Sequence, residues 1–182
     1  MNSQQPNIKE IYNEHNKLVY NLALVYLQNS EDAEEVTQDV FVSVYQSIHQ
    51  FNHTSTLKTW VYKITINKCL DFLKAKKTKK RWAFVSSIFN NDGGLKHDTS
   101  DFVHPGILLE NKEHSIYLFK AIETLPESQK TAFLLANVEG LGNKEISVVM
   151  EKSIGSVESL LQRAKENLRT ELKEYYKEYQ RK

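Results

Sequence analysis

Between Ile8 and Leu27, apolar side chains fall at Ile8, Ile11, Tyr12, Leu18, Val19, Leu22, Ala23, Tyr26 and Leu27. Steps of three and four residues gather them into one stripe of an amphipathic helix. The polar stretch NSED follows, where Asn29 or Ser30 can cap a second helix. That helix is expected over Glu31 to His49, with a stripe of Ala33, Val36, Val40, Phe41, Val44 and Ile48. Its acids crowd the first turns, which suits the helix dipole. QFNHTSTLK is a polar break. A third helix, Leu57 to about Lys76, carries Trp60, Val61, Ile64, Cys69, Leu70 and Leu73. Helices of this number and length can bury a small core.

From Ala83 to Gly106 the periodicity fails. NNDGGLKHDTSD is polar and turn-rich, and Pro105 follows. This reads as a linker of about two dozen residues, able to stretch to roughly 80 Å. Helical spacing returns near Leu108 and runs through Ile116, Phe119, Ile122 and Leu125. LPESQK interrupts it, with Pro126 suited to a first helical turn. Thr131 to Val138 is the next helical stretch, then the turn EGLGN and a short helix from Lys144 to Met150. After EKSIG a last helix runs from Ser156 through Leu161, Ala164, Leu168 and Leu172. There is no internal repeat.

Composition narrows this reading. Six glycines and three prolines in 182 residues supply few turns, so an all-α fold is favoured over many short strands. A net charge of +1 says little, but its distribution is uneven. Glu31, Asp32, Glu34, Glu35 and Asp39 form an acidic block without a base, and Lys74, Lys76, Lys77, Lys79, Lys80 and Arg81 a basic block without an acid. Such asymmetry predicts different partners for different faces. The lone Cys69 excludes an internal disulfide and a cysteine-rich zinc site, and reads as a buried thiol. No run approaches a membrane span, and MNSQQPNIKE lacks the apolar core of a signal peptide. An intracellular protein is therefore expected.

The helix pair Lys144–Met150 and Ser156–Arg169 has the short joining turn of a helix-turn-helix. Ile146 and Val149 are expected to face Val157 and Leu161 inside. Ser156, Ser159, Gln162, Arg163 and Lys165 then point outward, where Ser, Gln and Arg can meet base edges or phosphates. A plain pair of packed helices is the alternative. Glu158 repels phosphates, although a carboxylate can accept from a cytosine amino group. The basic run LKAKKTKKRW is either a solvated helix end or a phosphate-binding face. Trp60 and Tyr62 nearby suit stacking on single-stranded DNA; a core position is the other reading of Trp60. Glu35, Gln38 and Asp39 can share one face of the acidic helix, which suits a basic protein partner. No histidine pair has metal-ligand spacing. No phosphate loop, Ser-His-Asp set or catalytic carboxylate pair stands out. No catalytic residue, metal or cofactor is expected.

Four segments carry a resemblance: DAEEVTQDVFVSVYQSIHQF, LKTWVYKITINKCLDFLK, LPESQKTAFLLANVEGLGNKEIS and GSVESLLQRAKENL. In this order and spacing they resemble the extracytoplasmic-function (ECF) sigma factors of bacterial RNA polymerase, within the sigma-70 family. The resemblance covers roughly residues 8–80 and 109–172. It implies two small helical domains: a sigma region 2-like bundle over 1–82 and a region 4-like helix-turn-helix domain over 107–182, joined by a flexible linker over 83–106. It implies that Asp32, Glu35, Gln38 and Asp39 contact core RNA polymerase at the clamp helices of the largest subunit. It implies the flap of the second-largest subunit as the other polymerase contact. Asn52, His53, Thr54, Ser55 and Thr56 would form a loop that holds a flipped base of the promoter −10 element. Lys58, Trp60, Lys63, Asn67 and Lys68 would line the opened strand. Taking a base out of its stack costs a few kcal/mol, which such a pocket must offset. Lys144, Ser156, Glu158, Ser159, Gln162, Arg163 and Lys165 would meet the −35 element.

The implied function is promoter-specific transcription initiation in the cytoplasm, with promoter DNA and core polymerase as partners and an anti-sigma factor as a candidate regulator. Glu158 and Leu160 depart from a family pattern that usually places Lys or Arg there, and Gly142 replaces the usual Ser or Thr cap. Polymerase supplies much of the affinity, and joined contacts act at high effective concentration, so a weakly basic reading helix is tolerable. Two other readings remain at this stage. A stand-alone helix-turn-helix regulator would bind duplex without polymerase. A helical adaptor with a degenerate DNA-binding domain would bind protein only.

Overall fold

In the computed structural model, residues 7–90 and 112–179 are described. They form helices and turns without a strand. The helices are α1 (Ile8–Leu27), α2 (Ser30–Ser47), α3 (Leu57–Asn90), α4 (Lys112–Thr124), α5 (Glu127–Asn137), α6 (Asn143–Met150) and α7 (Ile154–Tyr179), with a 3-10 turn at Ile48–Gln50. The fold is all-α. α3 runs through the first eight residues of the expected linker, 83–90; from position 91 onward the linker lies outside the described residues, as does the return of periodicity near Leu108.

The chain divides into two compact units. The first holds α1, α2 and α3 from Ile64 onward. The second holds Phe51–Lys63, which includes the opening of α3, together with α4 to α7.

In the first unit, α1 and α2 pack against each other. Asn7 caps α1, its Oδ1 accepting from the Lys9 amide at 3.0 Å. Gln28 ends the helix in the left-handed region, φ 54°, its amide donating to Leu24 O. Asn29 then caps α2, accepting from the Asp32 amide at 2.9 Å. The stripe of α1 is buried at Ile11, Val19, Leu22, Ala23, Val25 and Tyr26, that of α2 at Ala33, Val36, Val40 and Val44. Each large apolar side chain so removed from water contributes about 1.5–3 kcal/mol. Tyr12 and Phe41 meet edge to face at the rim, ring centroids 4.8 Å apart. Ile66 and Cys69 of α3 are buried as well.

In the second unit, α7 packs on α4, α5 and α6. Its core holds Phe119, Ile122, Leu125, Leu134, Leu135, Leu141, Ile146, Val149, Val157, Ala164 and Leu168. Pro126 immediately precedes α5 as its cap residue. The α5–α6 turn closes through Gly140, φ +70°, where a residue with a Cβ would be strained. Gly142 caps α6 in extended conformation, and its amide donates to Glu145 Oε2 at 3.1 Å. Thus a glycine serves as the cap without a side-chain oxygen of its own, with the third helical residue supplying the acceptor. Glu151 ends α6 in the left-handed region, φ 53°.

Candidate nucleic-acid interface

The acidic face comes first along the chain. Glu35, Gln38 and Asp39 of α2 are exposed, opposite the buried Val36 and Val40. Spacings of three and four residues place them on one side of the helix. Val42 and Tyr45 continue that outer side, 53% and 67% exposed, so the acids border an open apolar surface. Asp32 differs. Its carboxylate accepts from Lys76 Nζ of α3 at 2.5 Å, and its side chain is only 18% exposed. Lys76 is thus committed to Asp32, and Lys74 pairs with Asp71 at 3.5 Å; Lys74, Lys76, Lys77 and Lys79 are all exposed.

Next comes the loop before α3. Asn52 Oδ1 accepts from the Thr54 amide at 3.3 Å and the Thr54 hydroxyl at 2.8 Å. His53 sits between them in the left-handed region, φ 58°. Its ring lies 4.5 Å from Phe51, and Phe51 lies 5.4 Å from Trp60. Trp60 is half-buried through this contact and belongs neither to the deep core nor to open solvent. Thr56 is the helix cap: its hydroxyl oxygen accepts from the Thr59 amide at 3.1 Å. Asn52, His53 and Thr54 stay exposed, with Ser55 half-buried.

Along α3, Lys58 is exposed, with Nζ 5.7 Å from the Tyr62 ring centroid. Lys63 Nζ donates to Glu151 Oε1 at 2.6 Å. Asn67 is exposed and Lys68 half-buried, one to two turns further on. The −10 set is thus divided between the units: Asn52, His53, Thr54, Ser55, Thr56, Lys58, Trp60 and Lys63 in the second, Asn67 and Lys68 in the first.

Tyr62, read from the sequence as suited to stacking on single-stranded DNA, is instead buried, and its partner Glu139 escaped the sequence reading. The Tyr62 hydroxyl donates to Glu139 Oε2 at 2.8 Å. Burial, and then the adjoining carboxylate, push the Tyr62 hydroxyl far above its ordinary range. Burial also raises the Glu139 carboxyl, against the opposing pull of the Tyr62 hydrogen bond and the Lys58 charge. Glu151 moves the other way, held down by its hydrogen bond with Lys63. No local spacing could have announced pairs separated by 77 and 88 residues.

The last element is the helix pair α6–α7. Ile146, Val149 and Val157 are buried between the helices, as the pattern predicts; Leu161 is half-buried. Ser153 starts α7, its hydroxyl accepting from the Ser156 amide at 3.2 Å, so the helix begins ahead of Ser156. Glu158, Ser159, Gln162, Arg163 and Lys165 are exposed on α7 and Lys144 on α6, while Ser156 is half-buried. Several carry internal bonds. Glu158 accepts from Asn143 at 3.4 Å, Gln162 donates to Glu166 at 3.0 Å, and the Ser159 hydroxyl donates to Gly155 O at 2.9 Å. Arg163 and Lys165 give this face its positive charge.

The chain matches the family models Sigma-70 region 2 over residues 11–79 and Sigma-70, region 4 over residues 115–168. It is 30% identical over 141 residues to the ECF RNA polymerase sigma-E factor of Escherichia coli, covering 75% of this chain and 72% of that protein. It is 28% identical over 152 residues to the RNA polymerase sigma-H factor of Pseudomonas aeruginosa, covering 81% and 77%. Its fold is similar to the sigma factor RpoE of Bartonella quintana, solved with the anti-sigma factor NepR. That match has a TM-score of 0.67 and 20% identity, covering 91% of this chain and 96% of that chain. CnrH, solved with the cytosolic domain of CnrY, gives a TM-score of 0.62 at 17% identity, with coverage of 91% and 87%.

Proposed function

Since the chain belongs to the ECF sigma factors of the sigma-70 family, promoter-directing initiation factors and not enzymes, we propose how its surfaces divide that task. The exposed Glu35, Gln38 and Asp39 face of α2 docks on the clamp helices of core RNA polymerase, with Val42 and Tyr45 as its apolar border. Asp32 braces this face through Lys76. The loop Asn52–Thr56 receives a base of the −10 element, and Lys58, Trp60, Lys63, Asn67 and Lys68 follow the opened strand. The Phe51 ring beside Trp60 gives that loop an aromatic floor. The α6–α7 pair reads −35 duplex with Lys144, Ser156, Ser159, Gln162, Arg163 and Lys165, and Glu158 adjusts the choice of base.

Domains over 1–82 and 107–182, joined by 83–106, let the two DNA contacts span a promoter together, with the flap as the second polymerase contact. The protein works in the cytoplasm, where polymerase and chromosome are. No helix among the described residues is long and apolar enough to cross a membrane. An anti-sigma protein is the regulatory partner this reading implies.

The observation that carries the assignment of surfaces is the contrast in charge between exposed acids with apolar neighbours on α2 and exposed bases along α3, while α7 sets Arg163 and Lys165 among Glu158 and Glu166. The former suits a protein partner and the latter a phosphate backbone. The test is transcription from genomic fragments of the source organism by its core polymerase, with and without this chain. Discrete new start sites only when both are present are expected, and they reveal the promoter. Failure to bind core polymerase would overturn the α2 assignment.

A further inference from the structure

Within the second unit, the opening of α3 is held by carboxylates from the helix-turn-helix. Tyr62 donates to Glu139, beside the α5–α6 turn, at 2.8 Å. One residue on, Lys63 donates to Glu151, at the end of α6, at 2.6 Å. We propose that Glu139 and Glu151 form an autoinhibitory latch: in the free chain they occupy the donors of the −10-reading face, and single-stranded DNA must displace them. This rests on the reading of Asn52–Lys68 as the −10 strand face.

The chemistry is that of a phosphate substitute. A carboxylate oxygen at these distances takes the place that a phosphate oxygen would take against a lysine or a hydroxyl. Tyr62 is 2% exposed, so its hydroxyl has already exchanged water for Glu139. Glu145 places a second carboxylate near the same hydroxyl. Three carboxylates on one side and Lys58 and Lys63 on the other make the contact complementary in charge. Glu139 is only half-buried and Glu151 is exposed, so the latch is a surface contact that can open. When only the open fraction binds DNA, the apparent dissociation constant rises in inverse proportion to that fraction. A free sigma factor would thus be kept from single strands until polymerase favours the open form.

The test uses the full chain and its Glu139→Ala/Glu151→Ala variant. Alanine at position 151 tolerates the left-handed backbone about as well as glutamate, so α6 keeps its end. Because the variant also loses two negative charges, Glu10→Ala/Glu171→Ala serves as the charge-matched control. Hydrogen–deuterium exchange should quicken across residues 51–63 in the latch variant and not in the control. Fluorescence anisotropy with a short single-stranded DNA pool of randomised sequence should show binding at least about threefold tighter than the control. Unchanged exchange, or a gain matched by the control, would overturn the latch. Lys63→Ala in the latch variant separates this from the −10 reading. Loss of the gained affinity supports both; faster exchange with a gain indifferent to Lys63→Ala leaves the latch standing and removes Lys63 from the strand face.

Discussion

Lys76 of α3 reaches Asp32 in the first turn of α2 at 2.5 Å, and this sets Asp32 apart from the other acids of its helix. Glu35, Gln38 and Asp39 stand in solvent, whereas Asp32 is committed to its own unit. The two kinds of acid should respond differently to substitution. Asp39→Arg should abolish capture of core polymerase while changing stability by no more than about 0.5 kcal/mol, the usual range for surface changes. Asp32→Ala should weaken capture far less and cost at most about 1 kcal/mol, because the Lys76 side chain is 57% exposed and the pair is screened. Pull-down beside urea unfolding checks both, and equal loss of capture would erase the distinction.

Lys63 should matter for promoter opening more than for duplex binding. Its place on α3, one turn beyond Trp60, puts it among the residues proposed to follow the opened strand. With polymerase bound, Lys63→Ala should reduce permanganate reactivity of the opened −10 segment by about tenfold, given about 1.5–3 kcal/mol for a hydrogen bond to a charged group. Gel shifts on duplex promoter should change little. Parallel losses in the two assays would place Lys63 outside the opened strand.

The helical repeat made most of this fold legible. Most of the α1 and α2 stripes became buried core, with Tyr12 exposed and Phe41 and Ile48 half-buried, and Asn29, one of two cap candidates, is the cap. Three features were not legible. Beyond Lys76 the apolar stripe gives way to lysines, so periodicity loses its signal, yet Lys77, Lys79, Lys80 and Arg81 are good helix formers and α3 runs on to Asn90. Thr56 reads as a loop residue for a flipped base, but its hydroxyl oxygen already caps α3. Exposed positions on regular helices, such as Asp39 or Arg163, follow from spacing. The engagement of Tyr62 and Lys63 does not, because it depends on partners far along the chain.

Glu158 explains part of the weak positive charge of α7 and can be tested directly. Its carboxylate is exposed and tied to Asn143 by a long bond of 3.4 Å, which contributes little to stability. Glu158→Lys should leave the fold intact, strengthen binding to duplex DNA and steepen its salt dependence by about one unit of slope per added phosphate contact. Titrations of log affinity against log salt measure this. An unchanged slope would mean that position 158 lies away from the DNA backbone.

The raised carboxyl of Glu139 predicts a specific pH dependence. A carboxyl whose folded pKa exceeds its unfolded value holds its proton more readily when folded, so ionising it costs stability. That cost is absent below the ordinary glutamate range of about 4.3 and grows as pH rises through the raised folded value. Glu151, pulled down by Lys63, works in the opposite sense: its contribution is present at higher pH and lost as pH falls through its folded value. The wild-type profile therefore mixes two opposed terms. Glu139→Gln isolates one of them, since the amide oxygen can still accept from the Tyr62 hydroxyl without carrying a buried charge. Relative to wild type the variant should be more stable at neutral pH, with the gain fading as pH falls into the ordinary carboxylate range. Urea unfolding across that range measures the difference. A constant gain at every pH would assign it to packing, and a loss at neutral pH would mean that the Lys58 charge and the Tyr62 bond outweigh burial.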